Sequence, residues 1–277
     1  MRAPLRPRLL GALLVLAALL AVGCSEAAPA IETRDDWGDL FAEAGVVGTF
    51  AMREVGADTT SVWNLERAEE ARLPASTFKI LNSLIILEAG VLPDVDAAVP
   101  WDGVDREIEV WNQDHTLRSG IEVSAVWMYQ EMARQVGDRR MQEWVTAAEY
   151  GNADIGGGID RFWLDGDLRI SALEQLDFLE QLAERTLPFD RDVQDAVADI
   201  LVREQGDGWT WAHKTGTALR TEPALGWLVG LTEYDGRTFV FALNLDLESV
   251  DGVGSQLDPQ VRQTIARQIL RQEGALP

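Results

Sequence analysis

Ser76 and Lys79 stand three residues apart in the stretch Pro74-Ala75-Ser76-Thr77-Phe78-Lys79, a hydroxyl and an amine that could act together as nucleophile and base. A hydroxyl is a poor nucleophile until a base takes its proton, and a desolvated neutral lysine can be that base. The pairing works if the segment is helical, because residues three apart then share a face. The flanks predict a helix. Pro74 presets φ for a first turn, and Ile80, Leu81, Leu84, Ile85 and Leu87 supply a face to bury. A serine at that helix N-terminus also has free backbone N–H groups beside it, which suits a developing oxyanion. Surface helices contain Ser-x-x-Lys by chance, so other clusters carry the weight. Ser124-Ala125-Val126 is read as opening a helix, where a second hydroxyl can sit. Tyr150-Gly151-Asn152 starts a long loop, read as a turn that holds it. Lys214-Thr215-Gly216-Thr217 lies on a predicted strand, where the glycine would let a ligand approach the backbone.

The secondary structure around these residues follows from patterning. A helix over Asp35 to Ala44 closes at Gly45. Val46 to Arg53 and Thr60 to Leu65 read as a hairpin turning at Gly56-Ala57-Asp58. From Val91 to about Gln205 helical patterns dominate: Val123 to Val136 with a stop at Gly137, a helix opened by the capping box Ser171-Ala172-Leu173-Glu174, and Asp192 to Val202. Gly151 to Gly166, rich in Gly and Asp, reads as a functional loop. Trp209 to Thr217, Leu225 to Tyr234 and Arg237 to Leu245 read as strands, the last two joined at Asp235-Gly236. A final helix has Asp258 as N-cap, Pro259 at its first position and Gly274 beyond its end. The expectation is an α+β fold. One antiparallel sheet is built from both chain ends and flanked by helices, with an all-helical lobe inserted over residues 91–205.

The 277 residues carry a formal net charge of −22, with 46 acidic against 24 basic, which argues against a nucleic-acid partner. It leaves room for an anionic small molecule where a few cations converge. One cysteine and two histidines, His115 and His213, argue against a dedicated zinc site and exclude an intrachain disulfide. Residues 1–24 read as an export signal: Arg2, Arg6 and Arg8, then an uncharged run from Leu9 to Val22 that is short for a membrane span. It ends Leu20-Ala21-Val22-Gly23-Cys24, similar to a bacterial lipobox, with Cys24 as the lipidated residue. Ordinary signal-peptidase cleavage nearby is the alternative. Residues 25–33 read as a tether and 34–277 as the folded domain. No sequence feature fixes an oligomeric state.

Taken in order, the motifs resemble the serine β-lactamase and penicillin-binding protein superfamily, and within it the class D β-lactamases, or oxacillinases. Ser-Thr-Phe-Lys, Ser-x-Val, Tyr-Gly-Asn, Phe-Trp-Leu and Lys-Thr-Gly occur as Ser76 to Lys79, Ser124 to Val126, Tyr150 to Asn152, Phe162 to Leu164 and Lys214 to Gly216. The resemblance extends to Trp101-Asp102-Gly103, Trp111 to His115 and Gly226 to Gly230. It implies a periplasmic hydrolase of penicillin-type β-lactams, in which Ser76 is the nucleophile. Lys79 would be the general base, carbamylated by carbon dioxide (N6-carboxylysine), with no other cofactor. The N–H groups of Ser76 and Thr217 would form the oxyanion hole. Ser124 and Lys214 would pass a proton to the leaving nitrogen, and Trp163 would hold the carbamate through its indole N–H. Thr215, Gly216 and Arg262 would bind substrate, Arg262 through its fork on the carboxylate, with Arg220 as the next candidate anchor. Val126, Trp111 and Leu164 are candidate wall contacts that packing could equally explain. Arg220 and Asp165 could pair across the cleft mouth. Rival readings are a β-lactam sensor that stays acylated, a D,D-peptidase, and an idle envelope lipoprotein.

Overall fold

Three long strands late in the chain carry the sheet, because their sequences alternate apolar residues for both faces. The structure is a computed structural model that describes residues 29–247 and 260–277. The strands are β1 (Ala30–Thr33), β2 (Gly48–Glu54), β3 (Thr59–Trp63), β4 (Val202–Gly206), β5 (Trp209–Ala218), β6 (Leu225–Tyr234) and β7 (Arg237–Asp246), in the spatial order β1-β3-β2-β7-β6-β5-β4. The helices are α1 (Gly38–Glu43), α2 (Leu65–Glu69), α3 (Lys79–Glu88), α4 (Leu117–Glu122), α5 (Val126–Val136), α6 (Asp138–Ala147), α7 (Ala172–Glu184), α8 (Arg191–Ile200) and α9 (Val261–Gln272). The expected α+β architecture is the one observed, with both chain ends in one sheet and helices inserted between them.

The sheet separates two apolar layers. On one face α1 and α9 cover Phe50, Trp211, Leu228 and Phe241 through Trp37, Phe41, Ile265 and Ile269. On the other, α3, α7 and the inserted helices bury Trp227, Val229 and Ala242 with Phe78, Leu81, Phe162 and Leu176. Cross-strand pairing sets which residue belongs to which layer: Thr215 faces Leu228, whereas Lys214 faces Val229 and Gly216 faces Trp227. Lys214 and Gly216 thus lie on the face of the inserted lobe, and Thr215 and Thr217 on the face of α9.

Four expectations need correction. Ala30–Thr33, read as tether, is an edge strand that runs parallel to β3, so the sheet is mixed rather than antiparallel throughout. Its side chains are all exposed and it is held by main-chain bonds, such as Ala30 N–H to the Asp58 carbonyl at 2.7 Å, so it has no alternation to read. The helical lobe stops short of Gln205, because Val202–Gly206 is the opposite edge strand, also without alternation. The serine helix starts later than predicted. Ala75–Phe78 is a 3-10 turn with Ala75 at φ +50°, and α3 begins at Lys79. Ser124 likewise does not open its helix: it sits at φ +58°, and α5 begins at Val126 behind Ala125. Helix α6, with only Met141 and Val145 fully buried, was not singled out by the sequence. The proposed signal, Cys24, and the expected Asp258 cap and Pro259 of the final helix lie outside the described residues.

The predicted long loop is clamped at its root. Asn152 donates from its backbone to the Arg169 carbonyl at 2.9 Å and accepts from Arg169 N–H at 2.9 Å, while its amide reaches the Asp167 carbonyl at 3.0 Å. Gly151 has φ +55°, and a Cβ there would stand 2.0 Å from the Arg169 carbonyl oxygen. Tyr150 meets Phe78 and Phe178 edge-on. These contacts make Tyr150-Gly151-Asn152 a structural turn, as read. Gly151→Ala combines left-handed strain with a backbone overlap. It should destabilise the fold by more than about 2 kcal/mol, read as a lowered denaturant midpoint at unchanged m-value.

Candidate active site

Ser76 sits in the 3-10 turn immediately before α3, and the turn is fixed from several sides. Thr77 closes it by donating from its hydroxyl to the Pro74 carbonyl at 2.8 Å. Gln175 of α7 donates to Thr77 Oγ1 at 3.0 Å and to the Tyr150 hydroxyl at 3.2 Å. Trp227 of β6 donates its indole N–H to the Leu73 carbonyl at 2.9 Å. Gly216 lets the turn dock against β5: a Cβ there would lie 2.8 Å from the Pro74 oxygen and 3.1 Å from Thr77 Cγ2. The glycine was expected to admit a ligand, and what approaches its Cα is the protein's own backbone.

The first residue of α3 is Lys79, 0% exposed, and its Nζ donates to Ser76 Oγ at 2.7 Å. Tyr129 of α5 lies beside it, with Nζ 5.5 Å from the ring centroid. Ser83 anchors that tyrosine, sharing a 2.8 Å hydrogen bond with its hydroxyl while donating to the Lys79 carbonyl at 2.8 Å. Among the described residues no carboxylate offsets the ammonium, and burial alone lowers the Lys79 pKa to about 7. Much of the amine is therefore free near neutral pH, as a base for Ser76 requires.

A second hydroxyl–amine pair stands opposite. Lys214, 2% exposed, reaches Ser124 Oγ at 2.9 Å and the Thr215 carbonyl at 2.9 Å. Its pKa is also pushed well down, first by burial and then by the charges of Lys79, Arg203 and Arg262. Trp111, a candidate wall residue, braces this side: its indole donates to the Val123 carbonyl at 2.9 Å, and Trp127 donates to the Trp111 carbonyl at 2.8 Å. The backbone leading into Ser124, which is itself left-handed at φ +58°, is thus held in place. Val126 and Leu164 are half-buried, at the start of α5 and on the long loop.

On the α9 face Arg262, 7% exposed, donates from Nη1 to the Gly216 carbonyl at 2.8 Å and to Thr217 Oγ1 at 3.2 Å. Gly226, the cross-strand partner of Thr217, leaves room for it; a Cβ there would stand 3.3 Å from Nη1. Burial lowers its pKa to about 10, so it remains a cation, and its Nε has no partner. Arg220, the alternative anchor, is spoken for: it pairs with Asp165 on the long loop, as expected, and Arg161 shares that carboxylate at 2.5 Å. Trp163 is wholly buried and stacked on Phe78 at 5.4 Å, and its indole N–H has no partner. An orphaned donor, a free amine and an apolar lining are the chemistry that a lysine carbamate would need. His213 is a strand residue beside Trp211, kept neutral by burial that lowers its pKa to about 3. His115 is bonded to Ser119 and to the Val110 carbonyl.

Sequence reasoning missed Ser83, Tyr129 and Gln175. Each acts by supporting another residue, and none belongs to a local pattern that could have marked it.

The comparisons agree with this geometry. Residues 47–271 match the penicillin-binding protein transpeptidase domain family. Beta-lactamase OXA-48 of Klebsiella pneumoniae is 39% identical over 268 residues, covering 95% of this chain and 99% of that protein. Probable beta-lactamase YbxI of Bacillus subtilis is 46% identical over 199 residues, covering 72% and 74%. Among solved structures, a class D β-lactamase from Nostoc superposes with a TM-score of 0.82 at 36% identity, over 87% of this chain and 99% of that one. The class D β-lactamase of Bacillus subtilis gives 0.78 at 41%, over 86% and 95%. The fold and the paired hydroxyl–amine sites define a penicillin-binding transpeptidase-type domain. Within that class the chain belongs to the class D serine β-lactamases.

Lys79 also leaves a mark on stability. Its pKa falls from 10.5 unfolded to about 7 folded, so the unfolded state binds the extra proton between those values. The cost to the fold is full below pH 7, roughly 5 kcal/mol at 1.36 kcal/mol per unit, and vanishes as pH rises past 10.5. In bicarbonate-free buffer, Lys79→Met should raise Tm at pH 6.5, and the gain should shrink toward pH 10. An equal gain at both pH values would show that the lysine is not buried as a free amine.

Proposed function

We propose that this protein hydrolyses the amide bond of penicillin-type β-lactams through an acyl-enzyme on Ser76. The observation that carries the reading is the 2.7 Å contact between Ser76 Oγ and the amine of a fully buried Lys79. In acylation Lys79 takes the Ser76 proton as Oγ bonds to the ring carbonyl carbon. The N–H groups of Ser76 and Thr217 receive the oxyanion, each such donor contributing roughly 3 kcal/mol in the transition state. As the C–N bond breaks, a proton passes from the Lys214–Ser124 pair to the leaving nitrogen. Arg262 and Thr215 hold the substrate carboxylate, while Val126 and Leu164 line the pocket. In deacylation a water gives its proton to the base at Lys79 and attacks the ester carbonyl, which returns Ser76 to its hydroxyl form.

Carbon dioxide bound to the Lys79 amine would supply a carbamate, an anionic general base for both steps. Trp163 would hold it through its buried indole N–H, which has no other partner; that orphaned donor supports the reading. Lys79 contributes the free amine that such a group requires, and the aromatic wall of Phe78 and Trp163 keeps bulk water from it.

The expected outcome with nitrocefin is turnover by the wild type and no covalent labelling of Ser76→Ala, read by mass spectrometry. Trp163→Ala should acylate nearly normally and deacylate far more slowly, with activity lost at acid pH and recovered on adding bicarbonate. A persistent wild-type adduct would instead identify a sensor, and labelling of Ser76→Ala would move the nucleophile elsewhere. We also propose export to the periplasm with a lipid anchor on Cys24, supported by the basic, apolar and lipobox-like segments that precede the domain. Expressed with residues 1–24, the protein should fractionate with membranes and Cys24→Ser should release it. A soluble wild type with its N-terminus beyond Cys24 would refute the anchor.

A further inference from the structure

His115 takes no part in the steps assigned to Ser76, Lys79, Ser124 and Lys214, yet it is buried at 2% exposure and both of its ring nitrogens are engaged. Its main chain is held independently by an antiparallel bridge to Val99. There Val99 N–H donates to the His115 carbonyl at 2.6 Å and His115 N–H to the Val99 carbonyl at 3.1 Å. The ring does something else. Its Nε2 lies 3.1 Å from the Val110 carbonyl, which can only accept, so Nε2 carries the hydrogen. Burial holds the pKa below the usual histidine value, and the ring is neutral. Nδ1 is therefore an acceptor, and the Ser119 hydroxyl 3.0 Å away donates to it. The same hydroxyl accepts from Thr116 N–H at 3.0 Å, in the capping box that opens α4.

These bonds close on themselves. Val110 precedes Trp111, whose indole donates to the Val123 carbonyl at 2.9 Å. Val123 at the far end of α4 donates from its backbone to the Ser119 carbonyl at 3.1 Å, and Ser119 returns to His115. Chain and hydrogen bonds thus form a circuit through His115, Val110, Trp111, Val123 and Ser119. The residue that leaves this circuit is Ser124. Its left-handed backbone is costly for a residue with a β-carbon and persists only where the surroundings impose it. On its other side Ala125 N–H donates to the Gly120 carbonyl at 2.8 Å. Ser124 is carried between these two attachments to α4, and its Oγ meets Lys214 Nζ at 2.9 Å. Trp127 also holds Trp111, at its carbonyl, so loss of the histidine bond would loosen the circuit without opening it.

We propose that His115 is a positioning residue for acylation: its bond to the Val110 carbonyl sets the Trp111 indole against the Val123 carbonyl and so aims the Ser124 hydroxyl at Lys214 and the leaving nitrogen. The inference rests on the relay assigned to Ser124 and Lys214. Lys79 and Ser76 are carried by α3 and the turn before it, outside the circuit, so deacylation does not depend on His115.

Pre-steady-state acylation and deacylation rates with nitrocefin test it in two variants. His115→Asn keeps a partner for Ser119 but falls short of Val110, whereas the longer amide of His115→Gln takes the place of Nε2. The asparagine variant should acylate roughly tenfold more slowly, as a displaced reacting group does, and deacylate at the wild-type rate. The glutamine variant should recover most of the loss. In a Ser124→Ala background His115→Asn should cost little more, because the group it positions is gone. If the asparagine variant does not fold, His115→Phe replaces it, filling the same space with no donor. Wild-type acylation by the asparagine variant, equal losses in acylation and deacylation, a glutamine variant as slow as the asparagine one, or losses that multiply in the double variant would overturn the inference. Fast acylation by Ser124→Ala would instead defeat the relay itself, and no acylation by the wild type would defeat the reading of the protein as a β-lactamase.

Discussion

Everything in the site depends on taking the Lys79 amine out of water without giving it a counter-ion. An ammonium so placed is unstable relative to the free base, and the whole of its lowered affinity for protons comes from burial. The neighbourhood keeps it so: Phe78, Tyr129 and Trp163 exclude water, and Ser83 ties the tyrosine to the backbone at Lys79. A carboxylate in that wall would restore the ammonium and remove the base. The 46 acidic residues of the chain are instead spent elsewhere, on surface pairs such as Arg139–Glu143 and Arg118–Asp96.

The sheet supplies the second constraint, since it decides which reactive groups meet. On β5 the two-residue repeat sends Lys214 to the lobe face, where it meets Ser124, and Thr215 to the face of α9, so one strand would serve both the proposed proton relay and the proposed carboxylate anchor. Gly216 lies between them, where the missing side chain lets the Ser76 turn dock against the strand. Ser76, Lys214 and Arg262 are therefore fixed to one another through a single backbone segment. Arg262, bonded to the Gly216 carbonyl, closes the arrangement from the far side.

Much of this was legible in the sequence. β5, β6 and β7 could be read nearly to the residue because their apolar repeats face two cores, and the Ser171 capping box marked the start of α7. The partners Ser76–Lys79 and Ser124–Lys214 were also foreseen, because motifs kept in order imply them. The edges were not legible. β1 and β4 are stabilised by main-chain pairing, which leaves no trace in side-chain pattern. Positive φ at Ala75 and Ser124 was equally hidden, because neither residue type favours it and the strain is imposed by distant packing.

The docking of the Ser76 turn on Gly216 has a consequence for how this protein could diversify. Gly151 and Gly216 admit no side chain, and Lys79, Trp163 and Tyr129 each fill space shared with other site residues, so drift at these positions disturbs several functions together. Ile108, Val110 and Leu219, by contrast, are exposed apolar residues next in sequence or close to Trp111 and Arg220. Drift at such exposed positions costs the fold little, so variation is channelled to the surface while the reactive centre stays the same.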